Sequence, residues 1–406
     1  MNLPNLRHLS LLLVLSGIGG CGSSGDTSRR ADPLREVATI ALDRAVTQYK
    51  LMDDAVPDSL LPRTSAEDGT LVTHRPGWWT SGFFPGSLWL LYEYAGDTDL
   101  KERAEARTWL IEGEKDNLGD HDIGFKINNS FGNALRITGD TTRYAPVVVD
   151  AAQSLLRRFD PTVGLIRSWG ELDDTDEPYL VIIDNMMNLA LLFRATELSG
   201  DSTFFNVAVT HADNTLRDHF RPDGSSYHVV EYSPRTGERM RGRTNQGAAD
   251  SSAWARGQAW GLYGFTETYR NTDDRRYLDQ AITIADFLLD NPALPDDGVP
   301  YWDFDAPGIP DALRDASAGA IMASALLELQ DYVDANRASH YRSSAEKILR
   351  TLSGPEYLAE VGTNGNFLLK HSVGSVPANS EVDVPLTYAD YYFIEALLRL
   401  DSVSDE

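Results

Sequence analysis

Apolar residues recur at helical spacing along most of the chain, and short polar phrases punctuate them. Ala95-Gly96-Asp97, Thr138-Gly139-Asp140, Ser199-Gly200-Asp201 and Asn271-Thr272-Asp273 each end one helix-period stretch and begin another. Glycine suits the left-handed position that closes a helix, and Asp or Thr accepts hydrogen bonds from the first free N–H groups of the next. An aromatic residue follows in three of them (Tyr144, Phe204, Tyr277), then an alanine-spaced run such as Ala151-Ala152 or Ala281 to Ala285. Asn336 to Ala345 reads as a degenerate further copy, and Pro33 to Met52 predicts an N-terminal helix. Repeated helix pairs stack into an open solenoid or close into a ring, because one pair cannot bury its own apolar face. The inserts on the other side of each hairpin are long and rich in Trp, Gly and polar residues, Pro292 to Pro310 among them. That favours an all-α, six-hairpin toroid with a functional mouth, formed by residues 33–406 as a single domain.

The first residues depart from this pattern. Arg7 precedes an apolar run from Leu11 to Leu15, shorter than the roughly 20 residues a membrane-spanning helix requires. Residues 1–20 therefore read as a secretory leader. Ile18-Gly19-Gly20-Cys21 resembles a bacterial lipobox, with Cys21 as the lipidated residue and 21–32 as a flexible tether. The expectation is an exported lipoprotein, periplasmic or at the cell surface, held to a membrane surface by lipid alone. Gly22 in place of Asp leans toward the outer membrane.

Composition removes other classes. Of 406 residues 42% are hydrophobic and 24% charged, which excludes wholesale disorder. Thirty-six Lys and Arg face 61 Asp and Glu, for a net charge of −25, so the basic footprint of a nucleic-acid binder is missing. Cys21 is the only cysteine, which excludes a disulfide framework and a Cys-based zinc site. His228 and Gln246 lie in a polar insert without metal-ligand spacing, and no phosphate loop or nucleophile elbow occurs. No metal or cofactor is expected. The sequence does not choose between monomer and dimer.

Candidate chemistry sits in the inserts. Trp78, Trp79, Trp169, Trp254, Trp260 and Trp302 lie in or beside predicted loops. Each alone is an ordinary core residue; together they suit a cleft, because an indole face covers the C–H side of a sugar ring. His121-Asp122-Ile123-Gly124-Phe125 precedes a helix starting near Lys126. Asp122 reads as a turn or cap residue, or as a loop-end carboxylate beside His121. Ile182-Ile183-Asp184-Asn185-Met186-Met187-Asn188 opens a helix running to about Leu198. Asp184 is either its N-cap or a carboxyl group in an apolar setting, where burial raises the pKa and permits proton donation near neutral pH. Arg256 and Trp260, four apart, share a helix face. A guanidinium fork beside an indole suits an acidic sugar.

These phrases together resemble glycoside hydrolase family 88, the unsaturated glucuronyl hydrolases. The resemblance runs from Trp78-Trp79-Thr80-Ser81-Gly82-Phe83 to Pro385-Leu386-Thr387-Tyr388-Ala389-Asp390-Tyr391-Tyr392, and the pairing of His-Asp-Ile-Gly-Phe with Ile-Asp-Asn-Met-Met-Asn is its most specific part. It implies an (α/α)6 barrel. It also implies substrates bearing a C4=C5 double bond in a non-reducing uronic acid, left by polysaccharide lyases acting on glycosaminoglycan or ulvan-type chains. Asp184 matches the family's general acid/base and Asp122 its second essential carboxylate. His228, Gln246, Arg256 and Trp260 match residues that hold the uronate. Trp79, His121 and Trp169 would line the subsite, with Trp302 stacking further out. Lys370 and Ser375 fall near a Ser/Lys cluster that favours sulfated substrates in some members, but their spacing differs, which leaves sulfate preference open. Two other readings stand beside this one: a related hydrolase of unsaturated rhamnogalacturonan fragments, and a lipoprotein that captures glycans without turnover.

Overall fold

Each punctuating phrase does end one helix and cap the next. The structure is a computed structural model that describes residues 33–66 and 68–402; the leader, Cys21 and the tether lie outside them. Gly96, Gly139 and Gly200 adopt left-handed φ of 64°, 69° and 73° and close helices α2 (Phe83–Ala95), α4 (Asn133–Thr138) and α6 (Leu189–Ser199). Asp97, Asp140 and Asp201 then accept backbone N–H bonds at the starts of α3 (Thr98–Leu110), α5 (Thr141–Leu156) and α7 (Ser202–Asp218). The fourth phrase is displaced by one residue. Asp273 takes the left-handed position after α8 (Ala255–Thr272), and Asp274 caps α9 (Arg275–Leu289). The degenerate copy begins earlier than expected, at Asp334, which caps α11 (Ala335–Leu352) after α10 (Ala316–Leu329). α1 (Pro33–Ala55) precedes these and α12 (Thr387–Ser402) ends the series.

The twelve α-helices among the described residues form an (α/α)6 barrel. α2, α4, α6, α8, α10 and α12 make the inner ring, and the contact of α12 with α2 closes it. Inner helices are apolar nearly all round, as a helix covered on every side must be. All of α10, Ala-Ser-Ala-Gly-Ala-Ile-Met-Ala-Ser-Ala-Leu-Leu-Glu-Leu, is buried except Glu328. Outer helices carry one apolar face: Tyr277, Leu278, Ala281, Ile282, Ile284, Ala285 and Leu288 on α9.

Two inner helices are preceded by irregular turns, and both catalytic candidates stand there. Nine residues of π-helix, Gly124–Gly132, lead into α4, and a 3₁₀ segment, Ile183–Asn188, leads into α6. π-helical geometry is uncommon and concentrates at functional sites. The inserts hold four small antiparallel sheets that helical periodicity does not reveal. They are β1 (Leu61–Ser65) with β2 (Leu71–His74), β3 (Phe159–Asp160) with β4 (Leu165–Ile166), β5 (Tyr179–Ile182), β6 (Val229–Tyr232) and β7 (Arg239–Arg243) in that order, and β8 (Ser372–Ser375) with β9 (Ser380–Val384).

Candidate active site

The two aspartate phrases meet because one glycine lets them. A Cβ on Gly124 would lie 2.5 Å from Cα of Asn188, closer than atoms can approach. With that space empty, Asn188 Oδ1 accepts the Phe125 N–H at 3.0 Å, and its amide nitrogen lies 3.5 Å from His121 Nδ1. Asn188 thus ties the π-helix after Asp122 to the turn that carries Asp184. The Asp122 loop is fastened below by the buried Lys126, which donates to Gly77 O, Glu114 Oε2 and Asp120 Oδ2 at 2.8–3.0 Å.

Neither aspartate is a helix cap. The 3₁₀ segment begins after Ile182 without a side-chain cap, and the Asx-type bond at the other turn belongs to Asp120, which accepts from Asp122 N. Both carboxylates face an inner cavity of ≈ 120 Å³ lined also by Trp79, Phe125, Trp169, Ile182, Gln246 and Arg256. Their side chains are 16% and 13% exposed for Asp122 and Asp184. Burial pushes Asp184 up to about 7; the Asp122 charge adds to the rise and Arg256 opposes it. Asp122 is raised too, again by burial first, with His121 drawing it down. A carboxyl group near pH 7 can give and take a proton at physiological pH.

The surrounding groups are donors without acceptors. His228 Nδ1 accepts N–H bonds from Asn245 and Gln246 at 3.2 and 3.1 Å, which leaves the ring proton on Nε2. That nitrogen lies 3.8 Å from Asp184 Oδ2 and has no hydrogen-bond partner. Burial keeps the ring neutral, well below the usual histidine pKa. His121 Nε2 lies 3.5 Å from Asp122 Oδ1 and is equally unpartnered. The Trp260 indole N–H lowers the Asp184 pKa slightly without reaching hydrogen-bond geometry. Buried polar atoms are nearly always paired, so Asp184 Oδ2, His121 Nε2, His228 Nε2, Trp260 Nε1 and Tyr388 Oη, all unpartnered, mark a place built for a polar ligand.

A second, outer cavity of ≈ 230 Å³ shares Trp79, Gln246 and Arg256 with the first and is lined also by Trp78, Arg63, Ser375, Glu381 and Tyr388. Trp78 is 38% exposed, with the Arg63 guanidinium 4.1 Å over its ring. Beneath both cavities the rings of Phe83, Phe125, Trp260, Tyr388 and Tyr392 touch one another and form an aromatic floor across the barrel.

Three expectations need adjusting. Trp302 lines neither cavity: it is buried with Tyr301, Ala306 and Val373, its backbone bonded to Ala255 and Leu313, so it supports the wall and offers no outer stacking face. Trp254 is likewise covered, sandwiched between His228 at 4.4 Å and Arg256 at 4.5 Å. Arg256 has an internal carboxylate: it reaches Asp315 Oδ2 at 3.2 Å and donates to the carbonyls of Val373 and Gly374. Ser375 lines the outer cavity, whereas Lys370 donates to Pro355 O and lines neither. Sequence reasoning alone misses Asn188 and Asp315. Asn188 stands inside a quoted phrase, and Asp315 carries only the ordinary signal of the cap that starts α10. No group of three or more His, Cys, Asp or Glu among the described residues is placed to hold a metal ion.

The glycosyl hydrolase family 88 model matches residues 54–401. The chain belongs to that family. It is therefore a glycoside hydrolase. It is 46% identical over 351 residues to an unsaturated glucuronyl hydrolase of Formosa agariphila, covering 86% of this chain and 87% of the relative. A solved unsaturated glucuronyl hydrolase specific for heparin superposes with a TM-score of 0.88 at 42% identity, covering 91% of this chain and 98% of the other. A mutant unsaturated glucuronyl hydrolase from Streptococcus agalactiae, solved in complex with dGlcA-GalNAc6S, superposes at 0.77 with 29% identity, covering 91% and 93%.

Proposed function

We propose that the protein removes the unsaturated uronic acid from the non-reducing end of lyase-generated oligosaccharides by hydrating its C4=C5 double bond. One observation carries this reading: Asp184, with a pKa near 7 and an unpartnered oxygen, faces Asp122 and Arg256 across a cavity walled by indoles.

The chemistry follows from the enol ether. Protonated Asp184 gives its proton to C4, and positive charge develops at C5 and the ring oxygen. Asp122, ionised, stabilises that charge and keeps the pKa of its neighbour high. Water then adds at C5 and returns a proton to Asp184, so the acid is regenerated. The product is a hemiketal at C5. It opens to a C5 ketone, and the hemiacetal left at C1 expels the rest of the chain. One carboxyl group makes both transfers, so the separation rule for acid and nucleophile pairs does not apply. The Nε2–H of His228 and the indole N–H of Trp260 are donors for the uronate oxygens, and Gln246 bridges the inner and outer cavities. The outer cavity takes the next sugar. Glycosaminoglycan-derived fragments are the favoured class, because similar solved structures are named for heparin and for dGlcA-GalNAc6S; ulvan fragments are the second class to try.

The test is a panel of unsaturated disaccharides from heparin, chondroitin and ulvan lyases, followed by the ultraviolet absorbance of the double bond. Loss of absorbance on at least one supports the reading; none on any defeats it. The pH dependence has a fixed sign. The acid form of Asp184 starts the reaction, so kcat/KM should fall about tenfold per pH unit above its pKa of about 7, and hold below that only while Asp122 stays ionised. A profile rising from about pH 7 to about pH 9 would remove Asp184 as the donor.

A further inference from the structure

Beyond the aromatic floor, on the side away from the two aspartates, lies another cavity of ≈ 320 Å³. Its wall comes from the inner ring: Asn128 and Asn129 of the π-helix, Arg136 of α4, Arg194 of α6, Arg270 of α8 and Arg399 of α12. Four arginines face three glutamates there (Glu197, Glu267 and Glu395), on a chain whose total charge is −25. Glu93 and Glu328 pair with these arginines from outside the lining, so carboxylates are not short in number, only unevenly placed.

The charges are not evenly matched. Arg136 is held by both oxygens of Glu93 at 2.6 and 2.8 Å. Arg270 pairs with Glu267 and Glu328, and Arg399 with Glu328 and Glu395. Arg194 differs. Its Nε donates to Asn128 Oδ1 at 2.8 Å and its Nη1 to Gly132 O at 3.3 Å, both neutral acceptors. No carboxylate among the described residues forms an ion pair with it. Burial lowers its pKa; Glu267 and Glu197 oppose that without bonding to it, and Arg136 adds to the fall. Asn129, nine-tenths buried and next in sequence to Asn128, lines the same cavity, and its Nδ2 has no hydrogen-bond partner. Guanidinium and amide N–H groups can only donate. What they lack is an acceptor, and an anionic one satisfies both the donors and the charge.

We propose that this second cavity binds a small oxyanion, a sulfate, phosphate or carboxylate group, with Arg194 and Asn129 as its donors. The group would sit between the π-helix after Asp122 and helix α6 after Asp184 and hold the two segments together from below. A free inorganic ion and a sugar acid present the same oxyanion chemistry, and the cavity volume admits either.

The test is thermal unfolding of the full chain in sodium sulfate and, separately, sodium glucuronate, each against sodium chloride at matched ionic strength. The expected result is a saturable rise in Tm of about 2–5 °C well above the dissociation constant. Arg194→Gln and Asn129→Asp should each abolish the rise, the second without changing side-chain size, while kcat/KM on an unsaturated disaccharide stays within about twofold of the parent. Those variants leave the aspartate cavity intact, so loss of the rise assigns it to this site. A rise with sulfate alone identifies the bare ion, and one with glucuronate admits the sugar acid; both support the proposal. Equal Tm in chloride and both test salts overturns it, as does a rise that survives in whichever variants fold.

Discussion

Replacing Asp184 with Asn is expected to lower kcat by about 10⁴-fold, the upper end of what a positioned acid–base group supplies, and to leave the protein at least as stable as the parent. The activity follows from the amide, which keeps the shape of the carboxyl group but has no proton to give C4. The stability follows from linkage. Asp184 is raised from 3.8 to about 7 in the folded chain, so the folded state holds a proton that the unfolded state releases between those values. Stability from this group therefore falls as pH rises through that window, and the cost is fully present above about pH 7. Asparagine is neutral throughout, so the variant gains on the parent as pH rises from about 4 and then levels off, by an amount of the order of a few kcal/mol. Thermal unfolding at about pH 5 and about pH 8, alongside turnover, reads both effects. Retained turnover would reassign the acid. A variant less stable at the higher pH would mean that the carboxylate is better solvated than the geometry implies.

The second large effect concerns the scaffold. Arg256 and Asp315 are both fully buried and face each other at 3.2 Å. Removing one partner of a buried pair strands the other, so Arg256→Met should cost about 3–5 kcal/mol in denaturant unfolding. Some of that is offset because Asp315 also accepts from Ser317 N, Ser317 Oγ and Val373 N. Adding Asp315→Asn removes the stranded charge and should recover part of the loss. Arg256 also pulls the Asp184 pKa down, so activity remaining in the single variant should extend to higher pH than in the parent. A stability change below about 1 kcal/mol would show that the pair is not carrying the wall of the site.

How much of this is legible without coordinates depends on the range of the interaction. Capping is local, so Gly96-Asp97, Gly139-Asp140 and Gly200-Asp201 announce their hairpins directly. Asn271-Thr272-Asp273-Asp274 offers two aspartates for two jobs, and only the backbone decides that Asp273 takes the left-handed position and Asp274 the cap. The paired aspartate phrases point to a family through their pattern. Their geometry is not in the pattern: Asn188 reaches Phe125 across 63 residues, and Arg256 reaches Asp315 across 59. Periodicity also cannot separate a cleft tryptophan from a wall tryptophan. Trp79 and Trp169 face the cavity whereas Trp254 and Trp302 lie behind it, and neighbouring glycines look alike in both cases. The short sheets of the inserts escape for the same reason, since strands of two to five residues beside long loops leave no helical signal to break.

In the proposed mechanism the double bond, and not the anomeric carbon, is where reaction begins. The most direct measurement offers the enzyme an unsaturated disaccharide and the same disaccharide with its C4=C5 bond hydrogenated, and follows release of the reducing-end sugar from each. Release is expected from the first, in step with loss of ultraviolet absorbance, and none from the second. Release of sugar from the saturated compound would contradict that mechanism.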